Sequence, residues 1–92
     1  MLTVIYSNQF KKDYKNIQNN PKDKQALMET ITILCEEGCL PPKYKPHRLV
    51  GQYIEYMECH IKPDLLLIYR IYNDELTLYL LRVGSHSKLF KK

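Results

Sequence analysis

The chain contains three histidines, His47, His60 and His86, and all of them lie in its second half. Arg82 lies four residues before His86. Imidazole is the side chain that both accepts and donates protons near neutral pH, and a guanidinium group neutralises the charge of a phosphate. This combination predicts acid/base chemistry on a phosphodiester without a metal ion.

RNA supplies its own nucleophile for such a reaction. Its 2′-hydroxyl can attack the adjacent phosphate, so the protein needs only a proton acceptor, a proton donor and positive charge around the transition state. The histidines can accept and donate the protons, and Arg82 can supply the charge. Asp64 follows His60 across a turn at Pro63, where a carboxylate would orient the imidazole.

Each of these residues also has a structural explanation. A single histidine at the end of a strand is commonly a surface residue, and an aspartate after a proline is a common turn residue. Arg82 could form an ion pair with Glu58 or Asp64. Spacing alone therefore leaves the catalytic and the structural interpretations open.

The cysteines predict neither a disulfide nor a metal site. The chain has three of them, Cys35, Cys39 and Cys59, an odd number that is typical of free thiols in a reducing compartment. Cys35 and Cys39 could share one face of a helix, but zinc requires three or four ligands, and no other Cys or His pair stands at ligand spacing. We expect no metal and no cofactor.

Basic residues are concentrated in two segments that contain no acidic residue. The net charge is +4, from 14 Lys and Arg against 10 Asp and Glu. Residues 38–48 contain Lys43, Lys45 and Arg48, and residues 76–92 contain Arg82, Lys88, Lys91 and Lys92. Such segments indicate a polyanionic partner, either a nucleic acid or an acidic protein, although a solvated basic rim has the same composition.

Two helices are predicted after a short opening strand at residues 2–6. Ser7 is a suitable N-cap for the first helix. The second begins at Asn20 and Pro21, which suit the N-cap and the first helical position, and it ends at Gly38. Apolar residues recur at helical spacing in both segments, so each helix has one face to bury.

Three strands are predicted in the second half, over residues 53–61, 65–72 and 76–83, followed by a helical turn at residues 85–90. The first alternates, which places Tyr56, Glu58 and His60 on one face. This order predicts a single α+β domain spanning residues 1–92, in which two helices pack on an antiparallel three-stranded meander.

The sequence predicts no export signal and no membrane-spanning segment. We therefore expect a cytoplasmic protein without a membrane partner.

Four segments together resemble the YafQ branch of the RelE/ParE superfamily, the small toxins of bacterial type II toxin-antitoxin operons. They are residues 7–13 (SNQFKKD), 45–51 (KPHRLVG), 58–69 (ECHIKPDLLLIY) and 81–90 (LRVGSHSKLF). The resemblance implies a RelE-like fold and an endonuclease that cleaves mRNA, commonly on the ribosome. It also implies a cognate antitoxin, and the resemblance and the charge distribution together predict that an acidic, partly helical antitoxin segment lies across the basic face.

The resemblance further implies roles for single residues. His47 matches the family's loop histidine, and His60 and Asp64 match its His-x-x-x-Asp element. Arg82, His86 and Phe90 match its closing Arg-x-x-x-His-x-x-x-Phe element. The resemblance implies proton transfer among His47, His60, Asp64 and His86, with His86 as the expected leaving-group acid. Arg82 would hold the scissile phosphate. The expected RNA contacts are Lys43, Lys45, Arg48, Glu58, Lys88 and Phe90.

Two alternatives come from other functional classes. A ParE-like toxin shares the fold but binds a protein, DNA gyrase, without nuclease activity. A non-catalytic RNA-binding module would use only the basic segments, and its histidines would be incidental. Several imidazoles near one arginine favour the nuclease, because neither kind of binder needs them.

Overall fold

The computed structural model describes residues 1–90, in which five strands form one mixed sheet. The strands are β1 (Thr3–Tyr6), β2 (His47–Arg48), β3 (Met57–Lys62), β4 (Leu65–Tyr72) and β5 (Thr77–Gly84). Their order across the sheet is β1-β5-β4-β3-β2, with β1 parallel to β5 and the other neighbours antiparallel. Lys91 and Lys92 of the basic C-terminal segment lie outside the described residues.

The helices are α1 (Asn8–Ile17), α2 (Pro21–Glu37) and the short α3 (His86–Leu89). The predicted caps are confirmed: Ser7 Oγ accepts a hydrogen bond from the Phe10 amide, and Asn20 Oδ1 accepts from two amides of the first turn of α2. Gly38 ends α2 with a φ of 74°, a left-handed conformation that suits glycine. Within residues 1–90 no helix is long and apolar enough to cross a membrane.

The larger core lies between α1, α2 and one face of the sheet, which we call the helix face. Residues from both helices and from β3, β4 and β5 are buried there, and Leu27, Leu34, Leu67, Leu78 and Leu80 are almost completely inaccessible. The continuous apolar run in β4 follows from this packing, because the strand is central and both of its faces are buried.

The other face of the sheet, the open face, carries a smaller apolar cluster. Leu66 and Ile68 of β4 pack there with Leu89 of α3. Gly84 allows this return of the chain, since a Cβ at that position would lie 3.3 Å from Leu89 Cδ2. Whereas α1 and α2 cover the helix face, α3 covers the part of the open face that carries Leu66 and Ile68.

One predicted strand begins too early. Residues 53–56 are not extended as predicted, because Gly51–Tyr53 form a 3-10 turn and the Tyr56 amide donates to the carbonyl of Tyr53 at 2.8 Å. The strand starts at Met57 instead. The predicted alternation of faces is confirmed: Cys59 packs in the helix-face core, and Tyr56 packs against the open-face cluster.

Strand β2 was not predicted from the sequence. This two-residue strand lies in the proline-rich loop and pairs with β3, with His47 opposite Glu58 and Arg48 opposite Met57. Two residues are too few to show an alternating pattern, so only the tertiary pairing identifies it. The pairing matters because it fixes His47 to the sheet.

Candidate active site

One row of residues crosses four adjacent strands at the centre of the open face. His47 lies opposite Glu58, Glu58 opposite Ile68, and Ile68 opposite Arg82. Directly opposed residues in an antiparallel sheet project from the same face. Since Ile68 packs in the open-face cluster, the whole row lies on that face.

A second row lies one step along the strands. His60 is opposite Leu66, and Leu66 is opposite Gly84. Two residues along a strand correspond to about 7 Å, so His60 is a close neighbour of the first row. Gly84 ends the row without a side chain, and His86 follows at the start of α3. The topology therefore brings all three histidines and Arg82 to one face.

His47 is held by Glu58. His47 Nε2 lies 3.2 Å from Glu58 Oε1, and the imidazole is half exposed, whereas the Glu58 side chain is 7% exposed. A buried carboxylate with a single cationic partner orients that partner strongly. The prediction that Glu58 shares a face with His60 is confirmed, and its observed contact is the His47 imidazole.

The second ring nitrogen of His47 also faces an acceptor. His47 Nδ1 lies 3.1 Å from the backbone carbonyl oxygen of Lys45. A neutral imidazole carries a proton on one nitrogen only, so both contacts are hydrogen bonds only when the ring carries two protons. Both ring nitrogens of His47 thus face acceptors within the protein.

Arg82 is held by Asp13, a residue that the sequence analysis did not select. Arg82 Nε and Nη2 donate to the Asp13 carboxylate at 3.0 and 3.1 Å. The hydrogen bond to Asp13 raises the pKa of Arg82 above its ordinary value, so its charge is permanent. A sequence signal existed: Phe10, Asp13 and Ile17 stand at helical spacing, and all three are buried in α1.

An irregularity in β5 aims Arg82. The register shifts between Ile68 and Tyr69, so that Arg82 lies opposite Ile68 while Leu80 lies opposite Tyr69. Leu81 is therefore the extra residue of a β-bulge, which re-aims the neighbouring side chains. The alternative pairing of Arg82 with Glu58 or Asp64 is wrong, since the carboxylate belongs to Asp13.

His86 and Phe90 contact each other on α3. Their ring centroids are 5.0 Å apart, and the ring planes are tilted by 43°. Phe90 packs against the open-face apolar cluster, whereas His86 is exposed. Ser85 caps the helix, since its Oγ accepts from the Lys88 amide at 3.3 Å. An aromatic neighbour thus supports an imidazole that remains open to a ligand.

His60 and Asp64 are less tightly organised. His60 is half-buried in β3, and Asp64 is exposed in the turn between β3 and β4. Within residues 1–90 no hydrogen bond or ion pair joins the two side chains, and the expected orienting contact is absent. Among residues 1–90, neither ring nitrogen of His60 has a hydrogen-bonding partner, and the side chain is half-buried.

The predicted basic RNA contacts do not form one patch, and Arg48 lies on the helix face, because it is opposite Met57, which packs against the helix-face core. Lys43 and Lys45 border a cleft of about 550 Å³ together with His60, beside the part of β3 that β2 does not cover. Arg48 borders another cleft of about 450 Å³, and Lys88 is exposed on α3. Tyr44, which lies between the two lysines, packs against the helix-face core.

The thiols lie away from this face. Cys35, Cys39 and Cys59 are free, and burial raises the pKa of the Cys59 thiol to about 12. A thiol with such a pKa is a poor nucleophile at neutral pH. Among residues 1–90 no three His, Cys, Asp or Glu side chains are grouped so that they could hold a metal ion.

Known proteins resemble the chain over nearly its whole length. The family described as "Bacterial toxin of type II toxin-antitoxin system, YafQ" matches residues 2–91. The mRNA interferase toxin YafQ of Escherichia coli strain K12 is 40% identical over 88 residues, which cover 95% of this chain and 94% of that protein.

Solved structures confirm the predicted α+β fold. A metal-bound toxin from Helicobacter pylori is 48% identical with a TM-score of 0.87, and the match covers 98% of this chain and 100% of that chain. A chain of the E. coli DinJ-YafQ toxin-antitoxin complex is 37% identical with a TM-score of 0.84, and the match covers 97% of each chain.

Proposed function

Because the chain belongs to the YafQ family of bacterial type II toxins, we propose that it is an endoribonuclease that cleaves mRNA by attack of the RNA's own 2′-hydroxyl. One observation carries the proposal: two adjacent rows on the open face bring His47, His60 and Arg82 together, and His86 follows directly. A toxin that only binds gyrase has no need of this convergence.

His60 and His86 move the protons in this mechanism. His60 has no partner on its ring within the described residues, so it serves as the base that takes the proton from the 2′-hydroxyl. The 2′-oxygen then bonds to phosphorus as the bond from phosphorus to the 5′-oxygen breaks. His86, exposed on α3 beside Phe90, donates a proton to that 5′-oxygen. The products are a 2′,3′-cyclic phosphate and a 5′-hydroxyl.

Arg82 and His47 supply positive charge to the transition state. The Arg82 guanidinium binds the non-bridging phosphate oxygens, whose charge increases as the reaction proceeds. His47, held by Glu58 and the Lys45 carbonyl, acts as a second cation from the opposite end of the same row. Glu58 thus orients His47, a role that suits a buried carboxylate better than contact with anionic RNA.

The remaining predicted residues bind or position the RNA. Asp64 lies at the β3–β4 turn near the strand that carries His60 and orients that imidazole once substrate is bound. Phe90 fixes the His86 ring and offers its exposed edge to a base. The basic residues that we propose bind the RNA backbone beside the site are Lys43, Lys45 and Lys88, whereas Arg48 lies on the helix face and has no assigned contact with the RNA.

The protein partners follow from the same surface. Structures of DinJ-YafQ show a relative in complex with its antitoxin, and we expect a cognate antitoxin to cover the basic rim with an acidic, partly helical segment. mRNA on the ribosome, in the cytoplasm, is the proposed physiological substrate.

The decisive experiment maps the ends produced when purified protein is incubated with mRNA, with and without ribosomes, in the presence of EDTA. We expect cleavage to persist in EDTA and to leave 2′,3′-cyclic phosphate or 3′-phosphate ends. An RNA with a single 2′-deoxy nucleotide at the cut site should resist cleavage there. Cleavage of that deoxy position would contradict the mechanism.

Two further outcomes separate the alternatives. The H. pylori relative was solved with bound metal. Loss of activity in EDTA, with recovery on addition of metal, would contradict the metal-independent mechanism but would still identify the protein as a nuclease. Inhibition of DNA supercoiling by gyrase, with mRNA left intact both on and off the ribosome, would support the ParE-like function instead.

A further inference from the structure

We propose that Asp13 is a positioning residue for RNA cleavage, which fixes the guanidinium of Arg82 so that one edge of it faces the scissile phosphate. This inference rests on the proposed function. It concerns α1, an element to which neither the motifs nor the histidine set assigns any role in the reaction.

Asp13 is buried and fully engaged at the junction of α1 and β5. It is 3% exposed. Its Oδ2 accepts from Arg82 Nε at 3.0 Å and from the Val83 backbone amide at 3.1 Å, and its Oδ1 accepts from Arg82 Nη2 at 3.1 Å. Gln9 Nε2 adds a longer contact to Oδ1 at 3.3 Å. Four donors therefore hold the carboxylate in place.

The contact uses one edge of the guanidinium and leaves another free. An arginine presents two planar forks of donors, one from Nε and Nη2 and one from Nη1 and Nη2. Asp13 occupies the first fork. Within residues 1–90 no acceptor is bonded to Nη1 of Arg82, whose side chain is 23% exposed. The second fork is thus available to the two oxygens of a phosphate, in a plane that Asp13 has already set.

If the residue beside Arg82 acted only through its charge, a carboxylate would be the wrong group at that position. A carboxylate beside Arg82 reduces the net positive charge at the site and weakens the attraction for phosphate in the ground state. What it contributes is orientation, because an unheld arginine samples many rotamers and only some of them align a fork with the phosphate. Asp13 should therefore affect the rate of cleavage more than the binding of RNA.

Asp13→Asn separates these effects. Asparagine retains an oxygen that can accept from the Val83 amide, but its NH2 group would face the guanidinium donors. We expect kcat to fall by about 10- to 100-fold, with KM unchanged or lower because a negative charge has been removed. Single-turnover and steady-state cleavage of the RNA that the wild type cleaves give the two constants.

The Arg82→Ala variant and the double variant show whether Asp13 acts through Arg82. If it does, Asp13→Asn has no further effect on kcat once Arg82 is alanine. Asn20→Ala is the control for stability, because Asn20 Oδ1 caps the exposed first turn of α2 rather than joining α1 to β5. It should lower stability and leave kcat unchanged.

Asp13→Glu is the second variant in case the asparagine variant does not fold. It retains the charge but displaces the carboxylate by one methylene, so we expect kcat to fall by less than in Asp13→Asn, with the RNA still bound. Full kcat in either folded variant, or an equal loss in the Arg82→Ala background, would overturn the inference alone. An Arg82→Ala variant that cleaves like the wild type would instead overturn the proposed role of Arg82 itself.

Discussion

His47 and Glu58 face each other across β2 and β3, with His47 Nε2 3.2 Å from Glu58 Oε1. The contact joins the proline-rich loop to the sheet, and its carboxylate is buried while its imidazole is half exposed. A loop whose regular elements are one two-residue strand and short 3-10 turns thus holds an imidazole in a fixed position on the open face. The contribution of the contact between His47 and Glu58 to cleavage can be measured by substitution.

Glu58→Gln should lower cleavage by about 10- to 100-fold, which corresponds to the roughly 1.5–3 kcal/mol of a hydrogen bond to a charged group. Glutamine keeps the size and an acceptor oxygen but does not compensate the charge of His47. Cleavage kinetics of the folded variant provide the test. Glu55→Gln, a neutralised exposed carboxylate on the same segment, is the control. Equal activity of both variants would show that Glu58 does not act through His47.

His86→Ala should reduce cleavage by about 10²- to 10⁴-fold, the usual contribution of a general acid. Because His86 is exposed, its loss should change the free energy of unfolding by less than about 0.5 kcal/mol. Ser87→Ala, its exposed neighbour on α3, should cleave like the wild type. An RNA with a 5′-phosphorothiolate leaving group needs no protonation and should restore much of the rate of His86→Ala. A failure of that rescue would assign His86 to another step.

Ser7→Ala should destabilise the protein by between about 1 and 3 kcal/mol. The hydroxyl accepts from the Phe10 amide at 2.9 Å and donates to the Leu81 carbonyl at 2.6 Å, so its removal costs an N-cap and a long-range hydrogen bond. Urea unfolding measures the change. Asn20→Ala removes an exposed cap from α2 and should cost only about 1 kcal/mol. A larger loss of stability in Asn20→Ala than in Ser7→Ala would contradict the prediction that the Ser7 cap contributes more.

Stability should fall at alkaline pH because of Cys59. Burial raises the pKa of its thiol to about 12 in the folded chain, whereas an unfolded thiol ionises near its ordinary value of about 8.5. Between these values the unfolded state binds fewer protons than the folded state, so the free energy of unfolding decreases as pH rises, by at most about 1.4 kcal/mol per pH unit. Burial raises the pKa of Tyr69 as well, which acts in the same direction.

Cys59→Ala isolates the contribution of this thiol. The variant should begin less stable, because it removes a buried group, but its stability should decrease less steeply between pH 8.5 and pH 11. Cys39→Ala, which removes an exposed thiol, should retain the wild-type slope. Urea unfolding across this pH range gives both slopes, and parallel curves for Cys59→Ala and wild type would contradict the assignment.

The sequence by itself determined the elements whose signals are local. Ser7, Asn20 and Gly38 mark helix ends through hydrogen bonds and backbone conformations that involve only nearby residues. The strand predicted at residues 65–72 is confirmed because a continuous apolar run can only be buried on both faces. The types of side chain needed for the chemistry were also evident, since the chain has only three histidines.

Only the tertiary structure decided which of those side chains meet. Asp13 and Arg82 are 69 residues apart, and their contact depends on how α1 lies against β5 and on a bulge that no local pattern shows. The pairing of His47 with Glu58 depends on a two-residue strand that is too short to have a periodicity. Strand register and bulges are set by packing across the whole sheet. For that physical reason the sequence identified the residues that could act as acids, bases and cations, whereas the fold determined which residues they contact.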